Sequence, residues 1–177
     1  MSFDFDTPVD RRPTDSTKWA KCRTRDVIPM WLADMDFASP PPVIEALVRR
    51  ARHGLFGYTA PQPSLVQTVV DFYRDSFGWT IDPEWIQWLP DLGVALNLVC
   101  QAFAAPGDDI LLSTPIYHPF LSAVDTAGCR RVTTPLELSG GRWVLQPEAI
   151  ARSVTPRSRL YMLCNPHNPV GRLYTPE

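Results

Sequence analysis

From about residue 85 onward, apolar runs of strand length alternate with helical stripes, and this alternation constrains the fold more than any other feature of the chain. Residues 85–89 read as a first strand, followed by a turn and a nearly all-apolar helix over 94–104. Next come a strand at 110–113, a helix beginning near Pro119, and a strand near 131–134. Ser139-Gly140-Gly141 makes a hairpin-like turn between 136–138 and 143–145; a helix from Pro147 then leads to a last strand at 160–164. Strands and helices in alternation imply an α/β fold, with a parallel or mixed sheet covered by helices. The helix over 94–104, apolar on nearly every side, is expected to be central and buried.

Upstream the pattern is different. Residues 1–40 show little periodicity but carry aromatic anchors (Phe3, Phe5, Trp19, Trp31, Phe37), prolines and many aspartates. They read as an extended arm that packs on something else and leads into Met30-Trp31-Leu32-Ala33, a short strand. A helix follows Ser39 with three prolines at its start. Val43, Ile44, Leu47, Val48 and Ala51 recur at helical spacing, Arg49, Arg50 and Arg52 take a solvated side, and Gly54 ends it. After the turn Gly57-Tyr58-Thr59-Ala60-Pro61, a second helix opens with a capping box of Ser64 and Gln67. Leu65, Val69, Phe72 and Tyr73 form its expected buried stripe. At the other end Thr175-Pro176-Glu177 reads as another helix start, so a truncated domain is expected.

Composition excludes several function classes. A net charge of −2 gives no electrostatic reason to expect nucleic acid. The four cysteines, Cys22, Cys100, Cys129 and Cys164, form no C-x-x-C pair, so neither zinc nor a disulfide scaffold is expected. The acidic, polar start is no secretory signal, and the most apolar stretch, 93–105, falls short of the ~20 residues that span a bilayer. A soluble, cytoplasmic protein is the expectation. The 19 prolines are spread through turns, where they punctuate a fold instead of forming a low-complexity tract.

Ligands of open α/β sheets bind beyond the carboxyl ends of the strands. Three loops fall there. Pro90-Asp91-Leu92-Gly93-Val94 opens the apolar helix, whose free amides and dipole suit a phosphate; it also reads as a tight turn with Asp91 as N-cap. Thr114-Pro115-Ile116-Tyr117-His118-Pro119-Phe120 offers a tyrosine ring that either stacks on a flat heteroaromatic ligand or packs in the core. His118 has no neighbouring histidine in sequence, which leaves a zinc site little support. Asn165-Pro166-His167-Asn168-Pro169-Val170-Gly171 follows the last strand and is the most specific signal of the chain. Asparagines held before prolines are biased toward extended backbone, which would aim their amides out of the strand end; Asx turns are the alternative.

That last loop, with Arg172, resembles the loop of fold-type-I pyridoxal-phosphate enzymes of the aminotransferase class I/II superfamily. Lys18-Trp19, Met30-Trp31-Leu32-Ala33-Asp34-Met35-Asp36-Phe37, His53-Gly54-Leu55-Phe56-Gly57-Tyr58 and the 114–120 loop are similar to the cystathionine β-lyase (MalY/PatB-like) branch, over residues 3–175. The resemblance implies part of an aspartate-aminotransferase-like large domain. Residues 1–40 would form the arm and the start of the small domain, and 41–177 the N-terminal part of the cofactor-binding large domain. It implies pyridoxal 5'-phosphate as cofactor, with Asn168 at the phenolic oxygen, Tyr117 stacked on the ring, and Leu92, Gly93 and Val94 amides on the phosphate. Tyr58 would reach the phosphate of a neighbouring subunit in a homodimer, and Ala33 and Asn168 would lie near the substrate. The implied reaction is α,β-elimination from cystathionine or a related cysteine S-conjugate. The family pattern has Pro-Gly where Pro90-Asp91 stands, which puts a carboxylate beside the phosphate. Only two lysines occur, Lys18 and Lys21, and neither matches the family's cofactor-binding lysine, expected beyond residue 177. The chain alone is therefore expected to be inactive and poorly soluble. An aminotransferase of the same fold, or a non-catalytic effector-binding domain of that fold, are the competing readings.

Overall fold

The computed structural model describes residues 3–175. Two compact units make up the chain, the first ending at Gln62 and the second beginning at Pro63; each is described by itself.

The first unit holds α1 (Thr17–Ala20) and α2 (Pro41–His53). Its loops close on one carboxylate. Asp36 accepts hydrogen bonds from Lys18 Nζ at 2.9 Å, Trp19 Nε1 at 3.0 Å and Arg11 at 3.1 Å. Lys18 Nζ also donates to the Asp34 carbonyl at 2.8 Å and is almost wholly buried. The Trp19 indole first, then Lys18, hold the Asp36 carboxyl below its ordinary value. Val9 N donates to Asp36 O at 2.6 Å, and Pro8 bridges Phe37 in antiparallel fashion. The arm is thus folded back on itself instead of extended. Residues 30–33 form no strand, contrary to the sequence expectation. Trp31 turns its indole N–H to the Lys18 carbonyl at 3.1 Å and carries Lys21 Nζ 4.4 Å from its ring centre, so this segment is spent on side-chain contacts with the arm.

Helix α2 begins with Pro41 at its first turn and ends at Gly54, whose φ of 76° is the left-handed cap that glycine adopts without a Cβ penalty. The expected stripe of Val43, Ile44, Leu47 and Val48 is exposed, because no element of its own unit covers it among the described residues.

The second unit is built on a three-stranded parallel sheet of order β2-β1-β5, where β1 is Asp109–Thr114, β2 Arg130–Pro135 and β5 Ser158–Met162. The central strand is buried along almost its whole length, which explains its continuous apolar run. Helices α4 (Leu92–Phe103) and α5 (His118–Thr126) supply the rest of the core. Leu96 and Cys100 of α4 and Phe120, Ala123 and Val124 of α5 pack with Ile110, Leu112 and Met162 of the sheet. A short hairpin, β3 (Glu137–Ser139) and β4 (Arg142–Val144), and α6 (Pro147–Ser153) complete the return to β5. Strand β5 ends at Met162, two residues before the expected boundary, which leaves Cys164 in the following loop.

Four further expectations are corrected. Residues 85–89 make no strand; a 3-10 turn, Pro83–Trp85, leads into extended backbone with Trp85 and Trp88 exposed. Helix α4 is buried on one face only, with Leu92, Leu98 and Phe103 exposed, so apolar composition overstated its burial. In α3 (Pro63–Phe77) the buried position is Val70, while Leu65 and Phe72 are exposed. Gln67 gives its amide to Asp71 Oδ1 at 3.0 Å, one helical turn on, so the capping box does not form. Pro176 and Glu177, and with them the expected helix start, lie outside the described residues.

At the amino end of β1 the fully buried Asp109 takes a forked pair of hydrogen bonds from Arg130, both 2.6 Å, and a third from Thr155 at 2.7 Å. Arg130, then Thr155, lower its carboxyl to about 2. Because this value lies below the ~3.9 of an unfolded aspartate, the folded state gains stability above pH ~4 and loses it as pH falls toward 2. Urea unfolding at pH 5 and at pH 2.5 should therefore show a smaller acid-induced drop in midpoint for Asp109→Asn than for the wild type. Equal drops would contradict the assignment.

Candidate functional site

Direction along the sheet decides where a site can form. The three strands run parallel, so all leave the sheet at one end. Helix α4 turns sharply into β1 through 104–108, with Asp108 N donating to Ala105 O at 3.0 Å and Ala105 N to Asp108 Oδ2 at 2.9 Å. It therefore runs antiparallel to β1, and its first turn faces the carboxyl ends. Cys100 Sγ touches Met162 Sδ at 3.7 Å at the last residue of β5. Gly93, seven residues earlier, stands about 10 Å farther along the helix. The helix mouth, the loop after β1 and the loop after β5 thus open at the same end of this unit. Tyr117, Asn168 and the 92–94 amides are carried there.

The loops after β1 and β5 start side by side, because Leu112 and Met162 are register partners. What ties them together is His167, whose side chain is 1% exposed. Its Nε2 lies 3.0 Å from the Pro115 carbonyl and its Nδ1 lies 3.0 Å from the Tyr174 hydroxyl. Its backbone closes the loop on itself: His167 N donates to Arg172 O at 2.6 Å and Gly171 N to His167 O at 2.8 Å. Asn165 Oδ1 accepts from Tyr174 N at 3.1 Å, and Asn168 N approaches Cys164 Sγ at 3.5 Å. Both Asn-Pro bonds and Thr114-Pro115 are cis. Burial pushes the His167 imidazole below its ordinary value, opposed by the Pro115 carbonyl. Sequence reading gave His167 no role, and its only signal was its place between two Asn-Pro pairs.

Of the two asparagines, Asn165 is used within the loop, whereas Asn168 is exposed and its side-chain amide has no protein partner among the described residues. Tyr117 caps α5, with its ring 37% exposed and edge-on to His118 at 5.1 Å. That ring is not a core tyrosine. Farther into the strand, Ser113 Oγ joins Thr134 Oγ1 at 3.1 Å and Tyr161 Oη at 2.8 Å, a hydroxyl chain across all three strands beneath the loops.

The helix mouth is electrostatically mixed. Asp91 is the N-cap of α4 and its Oδ1 accepts from Val94 N at 2.9 Å. A Cβ on Gly93 would come within 3.0 Å of the same oxygen, so glycine there leaves room for the carboxylate. The Val94 amide is engaged, while the amides of Leu92 and Gly93 lie in the first turn, where a helix offers no internal acceptor. Asn97 reaches back to the Gly93 carbonyl at 2.9 Å.

Two candidate residues belong to the first unit. Ala33 is exposed and lines a cavity of about 400 Å³ with Pro8, Lys18, Met30 and Asp34. Tyr58 is fully exposed. Among the described residues no group of three or more His, Cys, Asp or Glu side chains is arranged to hold a metal ion, and no helix is long and apolar enough to cross a membrane.

Comparison with known proteins adds to this geometry. The family model described as aminotransferase class I and II matches residues 25–177. The cystathionine beta-lyase PatB of Bacillus subtilis is 37% identical over 180 residues, covering 99% of this chain and 46% of that protein. The crystal structure of cystalysin from Treponema denticola, which contains a pyridoxal 5'-phosphate cofactor, aligns with a TM-score of 0.92 at 28% identity, over 99% of this chain and 46% of its own. An N-succinyldiaminopimelate aminotransferase from Mycobacterium tuberculosis aligns at a TM-score of 0.73 and 29% identity, over 80% of this chain and 38% of its own. The chain thus spans a little under half the length of PatB and of cystalysin. With the family match running from the arm through the strand-end loops, this chain belongs to the aminotransferase class I and II family.

Proposed function

We propose that the protein is a pyridoxal-phosphate-dependent carbon–sulfur β-lyase, and that this chain carries part of its cofactor-binding fold. The observation that carries the reading is the likeness to PatB, named a cystathionine beta-lyase, which is 37% identical over 99% of the chain, arm included; the C-S lyase of Staphylococcus hominis aligns over 98%. A putative aminotransferase from Clostridium difficile aligns over 98% as well, which keeps the aminotransferase as the second reading. The reaction would take a cysteine S-conjugate such as cystathionine, with water, to a thiol, pyruvate and ammonia. An aminotransferase of the same fold is the second reading, supported by the family's own description.

The residues at the strand ends fit a flat, phosphorylated cofactor in two of three respects. The partly exposed Tyr117 ring offers a stacking face, and the unpartnered Asn168 amide suits a phenolic oxygen. The phosphate fits less well, since Asp91 occupies Val94 N. Leu92 and Gly93 amides would hold it, with Val94 joining when the carboxylate swings aside. When bound, the cofactor supplies an electron sink for the bond broken at the substrate's α-carbon. Ala33 would lie near the substrate carboxylate. The exposed Tyr58 would reach the phosphate in a partner subunit of a homodimer.

Neither lysine of the chain is available to bind the cofactor covalently. Lys18 is held by Asp36 and the Asp34 carbonyl, and Lys21 lies over Trp31. That lysine would come from beyond residue 177.

Full-length protein incubated with L-cystathionine should release pyruvate with no keto acid added, and the 177-residue chain alone should release none. Turnover that requires a keto acid acceptor would replace this reading with the aminotransferase. Asp91→Asn keeps a good N-cap while removing the charge, so it should tighten pyridoxal-phosphate binding roughly two- to fivefold, the range of one helix-terminus charge. An unchanged or weaker Kd, measured by absorbance titration of the full-length apoprotein, would show that Asp91 does not face the phosphate.

A further inference from the structure

We infer that His167 is the positioning residue of this site: its neutral imidazole bridges the Pro115 carbonyl and the Tyr174 hydroxyl, and so registers the loop carrying Asn168 against the loop carrying Tyr117. The inference rests on the cofactor reading above and deepens it.

The tautomer follows from the partners. A carbonyl oxygen can only accept, so the nitrogen 3.0 Å from Pro115 O, Nε2, carries the hydrogen. In the neutral ring Nδ1 is then bare and accepts the Tyr174 hydroxyl proton at 3.0 Å. Both ring nitrogens are satisfied inside a site with 1% exposure, so the neutral ring costs no buried unmet polar atom. A protonated ring would present a second N–H to Tyr174, forcing that hydroxyl to reverse in a desolvated position. Burial opposes that charge.

Sequence spacing turns this contact into a positioning device. Pro115 stands two residues before Tyr117, and His167 one residue before Asn168. The loop containing Asn168 is closed by the His167–Arg172 and Gly171–His167 backbone bonds, so the imidazole acts on a rigid segment. Among the described residues no other side chain hydrogen-bonds the 114–118 loop to the 165–172 loop. Stacking and amide contacts on one small planar ligand tolerate little error, and displacements near 1 Å cost much of their value.

The test uses full-length protein. Gln places an amide nitrogen where Nε2 was and can still donate to Pro115, whereas Asn is too short to reach. His167→Asn should raise the Kd of the apoprotein for pyridoxal phosphate at least tenfold. His167→Gln should stay within about threefold of wild type, with both variants melting at similar temperatures. Equal Kd values for the two variants, or a loss that tracks melting temperature alone, would overturn the proposal. Tyr117→Leu and Asn168→Ala serve as controls for the underlying reading. If they bind the cofactor like wild type, the cofactor site itself is wrong, whereas loss in these controls with no Asn/Gln difference refutes His167 alone. Nitrogen-15 NMR of histidine-labelled wild type covers the case in which His167→Asn fails to fold. A neutral Nε2–H ring at pH 7.5 supports the bridge, and a charged or Nδ1–H ring excludes it.

Discussion

The parallel pairing of β1 between β2 and β5 is the constraint on which the rest depends. A parallel pair cannot be joined by a tight turn, so each strand must return through a crossover, and every crossover leaves the sheet at the same end. That rule gathers the Tyr117 loop, the Asn168 loop and the α4 mouth without any direct attraction between them. It also sorts the polar groups. Asp109, Arg130 and Thr155 tie the amino end of the sheet into a saturated ion-pair network. The carboxyl end keeps an amide, a ring and first-turn N–H groups open. The paired charges thus sit at one end of the sheet and the open polar groups at the other.

The mouth of α4 shows two demands meeting on the same atoms. A helix start needs acceptors for its orphan amides, and Asp91 satisfies one of them at Val94. An anionic ligand would use the same amides and the same dipole. The cap stabilises the empty helix by ~1 kcal/mol, and its charge opposes the ligand by a comparable amount. A side chain that caps can rotate off one amide far more cheaply than a backbone can rearrange. Under the proposed cofactor reading the conflict would reduce affinity without abolishing the site.

How much of this was legible in the sequence depended on which physical signal each feature leaves. Strand β1 was legible because a strand buried on both faces must be apolar throughout, and α2 because proline and glycine mark helix ends by backbone geometry. The chemistry-bearing loops were legible as strand-end positions. The burial of α3 and α4 was not, because periodicity shows where apolar side chains lie on a helix and not whether anything covers them. The short strand expected at 30–33 failed because its tryptophan is committed to the arm, a contact between residues 13 apart for which pattern carries no signal. His167 was invisible for a related reason. Its partners, Pro115 and Tyr174, lie on both sides of it in the chain, and only the closed loop brings them to the two ring nitrogens.

The first unit reaches order by a different route. With its large apolar side chains mostly exposed, it collects three donors on Asp36 and places Lys18 almost out of solvent. A buried ammonium needs paired charge and further hydrogen bonds, and here Asp36 and the Asp34 carbonyl supply both. Those two contacts and its burial leave the Lys18 nitrogen little of the open approach that nucleophilic work needs. Lys21 rests on the Trp31 ring in a cation–π contact. The same contacts that order the arm thus engage both lysines of the chain.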